Sequence, residues 1–214
     1  MPTKTHAINF GNAIVESTLA CSPMSSGDTN TKENQKQLIK KYMIDFKVED
    51  LFDVFESVIK TNINDILVEM VNLIQSIRQR MIIVDENDEH LGDYFFLSAS
   101  INFIDISMLS ITLIPDKENT LKPLSYALFE PAVKVSVKLG IKYPRFSKSG
   151  YMKSNTTVIQ NEVKIWLNDL RKLSNNKEPK KPDNLTKWSI IIGIILALVT
   201  IIYYIIDVYF QTEK

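Results

Sequence analysis

The sequence predicts an α+β domain held at a membrane by one C-terminal helix, and three observations predict it. Segments 48–60 and 63–81 repeat apolar residues every three or four positions, the mark of amphipathic helices. Segment 132–143, AVKVSVKLGIKY, alternates strictly between apolar and polar or small residues, as a half-buried strand does. From Trp188 to Ile206 the chain runs WSIIIGIILALVTIIYYII without a charge. As a helix these roughly 19 residues span ~28 Å, close to the ~30 Å hydrocarbon core of a bilayer.

Residues 1–35 read as loosely ordered, because MPTKTH and CSPMSSGDTNTKENQ are polar and only INFGNAIVESTLA is apolar enough to dock. Residues 36–174 form the expected globular domain. Its first helix carries the stripe Val48, Leu51, Phe52, Phe55, Val58 and Ile59. Its second carries Ile63, Ile66, Leu67, Met70, Ile74, Ile77 and Met81, with Asn62 or Asn64 as cap and Asp65 favoured by the helix dipole.

The period then changes. RMIIV and YFFLSASINFIDISMLSITLI are rich in β-branched and aromatic residues, and the acidic turn DENDEHLGD joins them. Val133, Val135, Val137, Leu139, Ile141 and Tyr143 would share one strand face, with Lys134, Lys138 and Lys142 on the other. The expected architecture is therefore N-terminal helices packed on a small antiparallel sheet. The alternative is an all-α bundle in which 94–114 and 121–140 are long buried helices. Pro131 inside the second and five serines and threonines inside the first weigh against it. An amphipathic helix closes the domain, with Ile159, Val163, Trp166, Leu170 and Leu173 on one side.

Residues 175–187 form a basic linker containing Pro179 and Pro182, residues 188–210 the transmembrane helix, and 211–214 a short tail. Lys177, Lys180, Lys181 and Lys187 precede the span, whereas Lys214 follows it beside Asp207 and Glu213. The positive-inside rule then places the large domain in the cytoplasm and the C-terminus outside or in a lumen. Those lysines suit anionic headgroups, and Trp188, Tyr203 and Tyr204 suit the interface. Ser189, Gly193 and Ala197 recur every fourth residue, a small-residue face that allows self-association within the membrane.

The bulk chemistry narrows function by exclusion. The charges balance at 25 basic and 25 acidic residues, so no global field draws the chain to nucleic acid. The single cysteine, Cys21, fits a reducing compartment. His6 and His90 belong to no metal, nucleophile or phosphate-loop motif, which predicts a non-enzymatic protein with no cofactor or metal. The basic run Lys134, Lys138, Lys142, Arg145 and Lys148, interleaved with Tyr143, Phe146 and Tyr151, is the candidate site for an anionic ligand or an acidic partner.

The leading expectation is a scaffold, adaptor or sensor whose cytosolic domain binds a protein partner or a small anionic ligand at a membrane. One alternative is a membrane-disrupting effector or toxin activated by ligand-driven clustering. A second, by architecture alone, is a Bcl-2-like helical regulator on an organelle. Its one motif echo, NFGN at 9–12, stands near the N-terminus and lacks that family's Trp and Arg.

Overall fold

The fold is a bundle around one central apolar helix, described here from a computed structural model covering residues 2–23, 25–85 and 89–175. The expected linker, transmembrane helix and tail lie outside the described residues, as do Lys177, Lys180, Lys181, Lys187, Trp188, Ser189, Gly193, Ala197, Tyr203 and Tyr204. In chain order the helices are α1 (Lys4–Cys21), α2 (Thr29–Asp45), α3 (Phe52–Lys60), α4 (Ile63–Val84), α5 (Leu91–Leu113), α6 (Glu118–Leu139), α7 (Lys148–Lys153) and α8 (Thr156–Asn175). Among the described residues there is no strand, so the α+β expectation is corrected to an all-helical fold.

The reason lies in α5 and α6. Continuous apolar character, rather than alternation, is what YFFLSASINFIDISMLSITLI needs at the centre of a bundle. α5 packs on α1, α4, α6 and α8, and so buries residues all round its circumference. Its serines fit because they are small. The Ser98 hydroxyl donates to the Ile8 carbonyl at 2.8 Å and to Asn12 Oδ1 at 2.6 Å. By length and composition α5 is also the one described helix able to cross a membrane, but most of it is inside this core.

In α6 the alternating pattern is incidental. The buried residues Leu121, Ser125, Leu128, Phe129, Ala132, Val135 and Ser136 follow helical spacing. Of the expected strand face only Val135 and Ile141 are buried, while Val137 is 60% exposed. Pro123 and Pro131 both lie inside the helix. A proline withholds the N–H due to the carbonyl four residues back. Here those carbonyls belong to Asn119 and Ala127, which are exposed, so water can take the place of the lost donor.

The first segment is also corrected. α1, expected within a loosely ordered stretch, buries Ala7, Ile8, Phe10, Gly11, Ile14 and Val15 in the core. Phe10 stacks on Tyr42 and Phe46 of the α2 region and meets Phe95 of α5 at 4.8 Å between ring centroids. Thr3 caps α1 through its side chain, and Asp28 caps α2.

The helices expected from periodicity are present. α3, α4 and α8 bury Phe55, Val58 and Ile59, then Ile66, Met70, Ile74, Ile77 and Met81, then Ile159, Val163, Trp166 and Leu170. Asn62 occupies the cap position of α4, although its side chain makes no capping hydrogen bond.

Candidate functional site

The five basic residues of the expected ligand site do not converge. On a strand Lys134, Lys138 and Lys142 would share a face. On α6 the first two stand one turn apart, and the helix ends at Gly140, whose φ of 68° is the left-handed value favoured by glycine. Lys142 and Lys148 are exposed and have no ion-pair partner among the described residues. Two separate concavities take up the other three.

The first is a groove between α4 and α6, which flank α5 with little contact to each other. Two adjoining cavities of about 340 and 230 Å3 make it up, sharing Arg78 and Pro131. Gln75, Gln79 and Ile82 line the α4 wall, and Lys134, Val135 and Lys138 the α6 wall. These sets recur every three or four residues because each is one stripe of a helix.

At the edge of this groove stands Asp93, in the first turn of α5 and only 2% exposed. Arg78 donates from Nε and Nη2 to its Oδ1 at 3.2 and 2.8 Å, and Lys138 Nζ donates to its Oδ2 at 2.8 Å. One carboxylate thus ties three helices together. Burial by itself would raise the Asp93 carboxyl, but the hydrogen bonds from Lys138 and Arg78 outweigh it and hold the group below the ordinary aspartate value. The Arg78 guanidinium also lies 4.3 Å from the centre of the Phe96 ring, a cation–π contact that fixes its plane. Lys134 is 75% exposed and pairs with Glu130 at 3.2 Å. The rim therefore carries three cations against two carboxylates, and one of those carboxylates is buried.

The second concavity, about 360 Å3, lies on another stripe of α6, where the chain leaves Gly140 and doubles back along the helix. Tyr126, Phe129 and Val133 from α6 face Tyr143, Pro144 and Phe146 from the returning segment, with Glu130 and Arg145 at the edges. Behind the wall, Tyr151 donates or accepts a 3.0 Å hydrogen bond with Ser125, and burial pushes its phenol well above the usual tyrosine range. Trp166 Nε1 donates to Ser136 Oγ at 3.0 Å and completes the aromatic support.

A third feature went unnoticed at the level of sequence. Lys32, Lys36 and Lys60 border a cavity of about 260 Å3 beside Cys21. Glu33 lies among them, and Lys32 Nζ donates to the Ser22 carbonyl. Arg78 and Asp93 were missed as well. They are 15 residues apart, one near the end of α4 and the other in the first turn of α5, and only the packing of these two helices brings them together.

No known protein family, curated protein or solved structure matches the chain. Its chemistry has to be read from its own residues. Among the described residues no group of three histidine, cysteine or carboxylate side chains is placed to hold a metal ion.

Proposed function

We propose that the chain is a scaffold, adaptor or sensor, anchored by a single C-terminal span, whose cytosolic helical domain binds a protein partner. The α4–α6 groove supports this reading best. It is an elongated cleft with an apolar side at Ile82 and Val135 and a cationic rim at Arg78, Lys134 and Lys138, the form that receives an acidic, partly apolar segment of another protein. The walls run over residues 75–82 and 131–138, about two helical turns each.

Purification of the full chain from its native membrane in mild detergent, followed by native mass measurement, tests the proposal. The wild type should carry a second protein, and a Gln79→Glu, Lys134→Glu double variant should lose it, because both positions are exposed on the groove and neither supports the core. A wild-type chain recovered only by itself, or a partner kept by the double variant, would overturn the assignment to this groove.

The all-helical architecture favours a second reading, a Bcl-2-like regulator on an organelle. Its support is a long apolar helix, α5, wrapped by amphipathic neighbours. Expression in cultured cells, with and without residues 188–214, discriminates. A regulator of this kind changes survival under stress only when anchored, and identical survival in both arms would remove it.

A further inference from the structure

We propose that the concavity between α6 and the segment Tyr143–Ser147 is a binding site for a purine mononucleotide. It lies apart from the α4–α6 groove and does not depend on that reading.

Three properties point to this ligand class. The volume, about 360 Å3, is in the range of small-molecule pockets, roughly 300–1,000 Å3. Its walls are aromatic on both sides, Tyr126 and Phe129 on the helix against Tyr143 and Phe146 on the returning segment. Phe129 is sealed into the core at 2% exposure, whereas Tyr126, Tyr143 and Phe146 are only partly covered and leave ring surface facing the cavity. A flat heteroaromatic ring is the shape such walls take, because every base has a π-face that stacks on aromatic side chains.

The edges supply the rest. Arg145 is exposed and has no ion-pair partner among the described residues, so its guanidinium is available for a phosphate, which it can engage through two N–H groups. Glu130 stands at the rim as an acceptor for an exocyclic amine, its charge balanced by Lys134 at 3.2 Å. Lys142 and Lys148, exposed and without ion-pair partners among the described residues, flank Arg145 in sequence and add to the positive potential around the phosphate. The structural reason for the pocket is the left-handed Gly140. It ends α6 and reverses the chain, and Ile141, buried at 5%, pins the return.

Calorimetric titration of the full chain in detergent with adenosine monophosphate, adenosine and inorganic phosphate tests the assignment. Adenosine monophosphate should bind saturably at one per chain. Arg145→Ala should weaken it at least tenfold while changing adenosine less than twofold. Tyr143→Leu, which keeps apolar bulk but removes the ring, should weaken both at least fivefold, and Lys36→Ala on α2 should change neither. Unaltered circular dichroism checks that the variants fold. No saturable binding of adenosine monophosphate up to millimolar concentration would overturn the proposal. So would binding that ignores both pocket variants, or inorganic phosphate competing as well as the nucleotide.

Discussion

Gly11 of α1 lies so close to the backbone carbonyl of Phe95 that a Cβ at this position would overlap it. The same Cβ would come within 2.8 Å of the Ala99 nitrogen and of Ser98 Cβ. The crossing of α1 over α5 therefore depends on the absence of a side chain. Beside it, Asn12 Oδ1 accepts from Ser98 and from Asn102 Nδ2, which locks the register of the two helices.

Gly11→Ala should consequently destabilise the protein. Helix propensity alone favours alanine by about 1 kcal/mol. Overpacking against backbone that cannot rotate away costs about 1–3 kcal/mol, and α1 must also move off α5. Thermal melts followed by circular dichroism should show a lowered Tm; an unchanged or higher one would mean that the helices can separate without penalty.

The Asp93 cluster sets an acid limit on stability. An aspartate in the unfolded chain takes up its proton near pH ~4. In the fold, Arg78 and Lys138 keep Asp93 charged to lower pH. Its contribution is thus whole above the unfolded value and drains away as pH falls below about 4 toward the folded one. Melts from pH 7 to pH 3 should show a steep acid limb, flatter in Asp93→Asn. Equal slopes in the two proteins would place the acid sensitivity elsewhere.

Ser100 and Ser107 carry buried hydroxyls with no hydrogen-bond partner among the described residues. Burying an unpaired hydroxyl costs about 1–3 kcal/mol, and alanine also raises helix propensity. Ser100→Ala and Ser107→Ala should each stabilise the fold by about 1 kcal/mol in urea denaturation. Ser98→Ala should do the opposite, since Ser98 bonds to Ile8 and Asn12.

Cys21 is 7% exposed, and burial raises its thiol above the ordinary value despite Lys36 and Lys32. Its Sγ donates to the Lys32 carbonyl at 3.4 Å. Iodoacetamide at pH 8 should leave the native chain largely unmodified and label it rapidly in urea. Fast native labelling would show that the α1–α2 corner opens readily.

How far the sequence discloses this fold depends on what each helix touches. α3, α4 and α8 have one wet side, so their periodicity shows through the polar residues between the stripes. α5 is buried nearly all round in its first half, and the wet stripe of its second half is itself partly apolar, with Leu109 and Leu113 exposed, so its aromatic and β-branched composition imitates a strand. α6 misleads for another reason: the valines at 133, 135 and 137 alternate with polar residues by chance, and the helix buries only the middle one. The basic residues were legible as a group in the chain but not in space. Strand geometry would have aligned Lys134, Lys138 and Lys142, whereas the helix turns Lys138 to Asp93, and Arg145, past the helix end, stands at the edge of an aromatic pocket.

The pairing of α1 with α5 also orders events during synthesis. Ile8 and Ser98 are 90 residues apart, and Phe10, Ile14 and Val15 have no partner on α5 until that helix has been made. At about 5–20 residues per second the ribosome needs roughly 5–18 s to supply it. For that interval the newly made α1 presents an uncovered greasy face, and a holdase that recognises such a face has a defined window in which to bind it.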